Sequence, residues 1–265
     1  MKNLKIIFIV LVIVILACLP LVVEKESFIT LMILILLYVI LATSWNILGG
    51  YTGQISLGHA AFFGLGSLVT RLLWIKGLHI IPSILAGGLL AVAFALLIGA
   101  PAFRLKGVYF TIGTLALAEI LNVTVGNMFP EISSLPVEAL VAYQLTPRYY
   151  AILGLAVIII GCSYLIANSK LGLGMMAVRE EEDAAESLGV SALKHKLFAL
   201  GVSAFFTALA GGAFAFYHVG YYHQYPFSPS WSLDMLTWST SVVKGPSSVR
   251  SSGQYFLWHS GNIWL

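Results

Sequence analysis

Seven apolar runs order the chain, at residues 6–23, 28–48, 51–70, 80–103, 107–129, 149–167 and 197–219. Each is close to the ~20 residues that an α-helix needs to cross ~30 Å of hydrocarbon. None alternates apolar and polar positions with period two, so barrel strands are excluded. A backbone in hydrocarbon must bond within its own segment, and a helix does so. The pattern predicts an all-α membrane protein, a polytopic bundle of about seven transmembrane helices. The second and third runs are parted only by Gly49-Gly50, which predicts a tight helical hairpin or a broken helix there.

Positive charge sets the orientation. With the N-terminus cytoplasmic and seven spans alternating, the inner segments hold Lys2, Lys5, Arg104, Lys106, Lys170, Arg179, Lys194 and Lys196. The outer ones hold Lys25, Arg71, Lys76 and Arg148. That asymmetry is the one the positive-inside rule requires. A re-entrant 51–70 would invert everything downstream, so a full crossing is expected. The first run also has the charged start of a signal peptide, but it exceeds the usual apolar length of ~7–15 residues, so an uncleaved span is expected.

Composition agrees: of 265 residues 59% are hydrophobic and 9% charged, and the net charge is only +3. Soluble domains carry roughly 25% charged residues. A soluble enzyme, a nucleic-acid binder and a disordered tail protein are therefore excluded. Cys18 and Cys162 lie in apolar runs without ligand-like spacing and are expected to be buried small hydrophobes. His218 and His223 lack a nearby Cys or carboxylate, no metal site or other cofactor is expected, and no phosphate-binding GxxxxGK[ST] loop occurs.

Small residues at Gly49/Gly53 and Ala204/Ala208/Gly212 predict close helix packing, since helices in lipid gain little from mutual apolar burial. Polar groups at membrane depth are the candidate translocation pathway. Asn46, Gln54, Ser56 and His59 surround the glycines near residue 50, where an unwound backbone would expose amides and carbonyls. In the fifth run Thr111, Thr114, Glu119 and Asn122 fall within an arc of roughly 140° at 100° per residue. A mid-span carboxylate facing lipid is costly, so Glu119 is expected to face a partner or a watered path, as pathway wall or as bundle lock.

The inner loop between the sixth and seventh runs carries Glu180, Glu181, Glu182, Asp183 and Glu186 among apolar residues, with Gly189 as a C-terminal stop. This reads as a short cytoplasmic helix that plugs into another protein's groove.

Here the sequence resembles a known family. Asp183-Ala184-Ala185-x-x-x-Gly189 is similar to the E-A-A-x-x-x-G coupling motif of ABC importer permeases, with Asp for Glu. The stretch 174–189, the stretch 46–64 (Asn-Ile-Leu-Gly-Gly-Tyr-Thr-Gly-Gln-Ile-Ser-Leu-Gly-His-Ala-Ala-Phe-Phe-Gly) and Arg104-Leu105-Lys106-Gly107-Val108-Tyr109-Phe110 resemble the branched-chain amino acid permease branch. The resemblance covers about 28–236. It implies a multi-pass permease subunit of the prokaryotic plasma (inner) membrane, using ATP hydrolysed by separate ABC ATPase subunits. A second homologous permease subunit and a periplasmic or extracellular substrate-binding protein would complete the importer. Membrane lipid surrounds it, and nucleic acid plays no part. The ATPase-coupling residues would be Met176, Arg179, Glu180, Glu181, Asp183, Ala184, Ala185 and Gly189, within a coupling loop at 168–196, and no catalytic residue is expected in this chain.

The permease domain is expected at 1–236. Residues 237–265 carry seven serines and three of the six tryptophans and no spanning run, an atypical tail resembling a shifted reading frame or a truncation. An ion-coupled secondary transporter and a non-transporting membrane scaffold remain as alternatives at this stage.

Overall fold

A computed structural model describes residues 2–22, 25–129, 143–220, 222 and 224–242, without the side chains of 2–10 and 241–242. Among the described residues there is no strand. The helices are α1 (Lys2–Val22), α2 (Glu26–Thr52), α3 (His59–Ile75), α4 (Ile80–Ala102), α5 (Val108–Met128), α6 (Leu145–Ala167), α7 (Lys170–Glu180), α8 (Glu182–Ser187), α9 (Ala192–Tyr217), α10 (Gln224–Phe227) and α11 (Ser230–Val242). Five of them, α2, α4, α5, α6 and α9, are long and apolar enough to cross a membrane; Leu11–Val22 of α1 and His59–Ile75 are shorter apolar helices. The seven predicted runs thus each contain one helix.

α9 is the axis of the bundle, with 78% of its apolar window buried. Its stripe of Ala204, Ala208, Gly211 and Gly212 makes this possible. A Cβ on Gly66 of α3 would collide with the backbone of Ala208, and one on Gly211 with the carbonyl of Phe63. The two helices therefore touch backbone to backbone, the packing that small residues permit in lipid. Gly88 of α4 makes room instead for the side chains of Phe205 and Leu209.

Contacts fix the directions. His59 meets Ser203 and Arg71 meets Ala215, so α3 runs with α9. Gly88 lies on Phe205 while Gly99 lies on Leu197 and Leu200, so α4 runs against it. α6 also opposes α9, with Arg148 on the Phe216 carbonyl near the end of α9 and Gly174, just past the end of α6, against His195 near its start. α1 joins through Tyr149 and Tyr150, whose hydroxyls donate to Leu16 and Ala17 carbonyls at 2.7 and 3.0 Å. This alternation places the start of α1 on the same side as α7 and α8.

Two expectations change. The helix break is not at Gly49-Gly50: α2 continues to Thr52, and the chain leaves it at Gly53, whose φ is 71°. The indole of Trp45 covers Gly49 and the carboxamide of Asn46 covers Gly50, one turn back in the same helix. Those glycines are filled by their own helix rather than by a neighbour. Cys18 is exposed on the peripheral α1 and Cys162 half-buried, not core residues. α11 packs on α2 and α3 through buried Ser232, Met235 and Ser239; residues 243–265 and His223 lie outside the described residues.

The end of the bundle remote from α7 is closed by two buried arginines. Arg71, with no exposure, donates to the Ala215, His218 and Val219 carbonyls. Arg148, 3% exposed, donates to Phe216 (2.7 Å) and Gln144 (2.6 Å) and lies between the rings of Tyr143 and Phe216. Tyr143 donates to the Tyr217 carbonyl at 2.9 Å. A helix end leaves its last carbonyls without helical partners and carries partial negative charge, so guanidinium groups suit it.

Candidate functional site

Two places carry unusual local structure, a docked loop outside the bundle and a broken strand of chain inside it. In the loop, the single expected helix is two. α7 begins on Ser169, whose hydroxyl accepts from Gly172 N–H at 3.1 Å. It stops at Glu181, an extended residue with φ −157°. α8 follows and ends in a paired cap: Gly189 N–H donates to Glu186 (2.9 Å) and Val190 N–H to Ala185 (3.0 Å), with Gly189 at φ 86°. That arrangement needs a left-handed residue after the helix, and Gly189 provides it as predicted.

The loop is seated on the bundle by Val178, Ala185 and Ala192, and by the Lys196 Nζ–Glu182 Oε2 ion pair at 2.6 Å. Of the expected coupling residues, Glu180, Glu181, Asp183, Ala184 and Gly189 face outward, Ala185 is buried and Met176 half-buried. Arg179 turns inward and donates to the Gly50 carbonyl at 2.8 Å. Leu188, one of the apolar residues of the expected plugging helix, is 85% exposed on the same face.

Inside, the chain runs without helix from Gly53 to Gly58, so the third pass through the bundle combines this coil with α3. Side chains from other helices satisfy its backbone, as burial requires. Trp45 Nε1 donates to Ser56 O (2.8 Å), Thr111 Oγ1 donates to Ile55 O (2.8 Å), and Leu57 N–H donates to Thr114 Oγ1 (3.1 Å). At the start of α3 the Ala60 N–H donates to Ser232 of α11 at 2.8 Å. Ser203 Oγ donates to Ser44 O (2.6 Å), so its lone pair accepts from His59 Nε2–H at 2.7 Å. This fixes the tautomer of His59, and its Nδ1 has no hydrogen-bond partner among the described residues.

The structure therefore brings Ser56, His59, Thr111 and Thr114 together, with Gln54 half-buried in the same coil. Asn46 folds over Gly50 of its own helix. Glu119 and Asn122 do not join them. The carboxylate lies on the exposed face of α5, with Asn122 Nδ2 at 3.3 and 3.5 Å. The wide arc is split because Thr114 and Ala118 face the bundle while Glu119, one residue on, clears its edge. A cavity of about 30 Å³ lies beside the coil, lined by Ser56, Thr114, Phe62, Phe94 and Phe110 among others. It has room for water but not for an amino acid. A second carboxylate at depth, Asp234 of α11, accepts from Tyr38 at 3.2 Å; the sequence reading did not single it out. Among the described residues no cluster of His, Cys, Asp and Glu can hold a metal.

Apolar helices of alternating direction, an interior break and a structured loop on one face define a polytopic helical membrane protein. The chain belongs to the family of permease components of branched-chain amino acid transport systems, which its residues 27–241 match. It is similar to the high-affinity branched-chain amino acid transport system permease protein LivM of Escherichia coli, 29% identical over 215 residues, covering 69% of this chain and 51% of that one. The LivM of Salmonella typhimurium is also 29% identical, over 213 residues, covering 68% and 50%. The chain thus spans about half the length of these relatives. No solved structure matches it.

Proposed function

We propose that the chain is the membrane-spanning permease subunit of an ATP-binding-cassette importer, moving branched-chain or related amino acids across the prokaryotic plasma membrane. ATP is hydrolysed by separate ATPase subunits, so the chain itself is not an enzyme. A second homologous permease and a periplasmic or extracellular binding protein complete the machine. The observation that carries this reading is α8, too short to hold helix alone. It is pinned to the bundle by Glu182–Lys196, closed by Gly189, and presents Asp183, Ala184 and Leu188 outward. Small and apolar groups on a pinned helix suit insertion into a partner's groove.

The positions of the polar groups support a pathway along the outer face of α5. The internal cavity is too small for the cargo, while α5 is the least buried of the five long spans and carries Glu119 at mid-span. A carboxylate there calls for protein or water rather than lipid. The second permease subunit is therefore placed against this face of α5, with the route between the two chains.

The test is site-directed crosslinking from Leu188→Cys. The expected result is a covalent adduct with the ATPase subunit in native membranes, and loss of co-purification in Gly189→Trp. Labelling of Leu188→Cys by an impermeant maleimide added outside intact cells refutes the reading.

A further inference from the structure

Arg179 sits in the last turn of α7, on the loop read above as the docking element, yet its side chain is only 15% exposed. Its guanidinium spans two structures. Nη2 lies 3.2 Å from Glu180 Oε1, a carboxylate 72% exposed on the outer face of the loop. Nη1 donates to the Gly50 carbonyl at 2.8 Å. Gly50 is in the final turn of α2, where carbonyls lack helical partners and a cation is favoured.

Three residues on, Gly53 begins the interior coil, and it does so against Arg179 itself. A Cβ on Gly53 would stand 2.9 Å from Arg179 Cγ, and the φ of 71° disfavours any side chain there. The coil that starts at this joint is the one held by Thr111 and Thr114 of α5 and leading into His59. One side chain thus connects an exposed carboxylate of the loop with the root of the interior coil. Those atoms lie in a continuous chain of contacts, Glu180–Arg179–Gly50/Gly53–Ile55/Leu57–Thr111/Thr114.

We propose that Arg179 is a positioning residue that transmits movement of the docked loop to the 53–58 coil, acting as a strut and not as an ATPase contact. The proposal rests on the permease reading, because it assumes that the loop is moved by an ATPase. A contiguous path is not itself coupling; what must be shown is that both ends shift together.

The experiment uses the assembled importer in proteoliposomes, with Gln54→Cys as a reporter in the coil. In the otherwise wild-type protein, the maleimide labelling rate of Gln54→Cys changes on adding ATP and vanadate. In Arg179→Ala, co-purification of the ATPase subunit stays at the wild-type yield. The nucleotide-dependent change in labelling is lost, and amino acid uptake per ATP hydrolysed falls about tenfold, within the range of ordinary coupling energies. Gly53→Ala, which leaves Arg179 in place but displaces its stem, reproduces the loss, and Arg179→Lys restores part of the labelling change. The proposal is overturned if Arg179→Ala keeps the labelling change and the uptake-to-ATP ratio. It is also overturned, with the permease reading intact, if Arg179→Ala loses the ATPase subunit, since Arg179 is then a docking contact. Failure of the wild-type chain to bind any ATPase subunit refutes the permease reading, and the strut with it.

Discussion

Replacing Glu182 with Gln isolates the pin that holds α8. Lys196 has a side chain 6% exposed and depends on the Glu182 carboxylate 2.6 Å away, itself 38% exposed. Removing one partner of a fully buried pair costs ~3–5 kcal/mol. Here water reaches the glutamate, and exposed pairs are worth ~0–1 kcal/mol, so an intermediate loss of ~1–2 kcal/mol is expected. Because six residues do not sustain a helix unaided, this loss acts on the local opening of α8. At ~1.4 kcal/mol per decade the opened population rises roughly tenfold. Hydrogen exchange of peptides covering 182–190 in lipid nanodiscs reads it directly, since the Gly189 and Val190 amides are held by Glu186 and Ala185. The expected outcome is faster exchange there with no change in α9. The double variant Glu182→Leu/Lys196→Met, which leaves no charge unpaired, returns exchange toward the wild-type rate. Unchanged exchange in the single variant, or a double variant as loose as the sum of its parts, refutes the pin.

Other outcomes follow from the same contacts. Gly66→Ala forces a methyl into the Ala208 backbone; a loss of at least ~1–3 kcal/mol is expected, read as a lower thermal unfolding temperature in detergent. Arg148→Met leaves the half-buried Phe216 carbonyl without its donor, at ~1–3 kcal/mol for the orphaned group, measured by the same melt. Glu119→Leu leaves the isolated chain as stable as the wild type, because among the described residues the exposed carboxylate bonds only to Asn122. In the assembled importer it lowers uptake, and full uptake by this variant argues against a pathway along α5.

Much of the fold was legible because hydrophobic length is a strong signal: every predicted run contains a helix. Gly189 was legible too, since few residues but glycine take a positive φ after a helix. The misreadings have local causes. Gly49-Gly50 resembles a break, yet Trp45 and Asn46 fold back and fill the space, which spacing alone does not reveal. Thr114 and Glu119 share an arc too broad to decide which side meets the bundle. α11 escaped notice because its packing face, Ser232, Met235 and Ser239, is two-thirds serine though buried. Arg71 and Arg148 were counted as outer positive charges; that they close the end of α9 depends on where its carbonyls point. Arg179 was grouped with the coupling residues; that its guanidinium reaches the Gly50 carbonyl depends on how α7 lies against the end of α2, which spacing along the chain does not reveal.

The two arginines give α9 a fulcrum. The helix is 26 residues long, about 39 Å at 1.5 Å per residue, with one tip tethered by three side chains and the other joined to α8 through the short turn 188–191. A sideways push of ~5 Å at the free tip swings such a rod by only ~7°. The swing is greatest near the push and vanishes at the tether. A bundle hinged in this way yields most on the side where the force arrives, and its far rim stays still until the arginine clamp lets go.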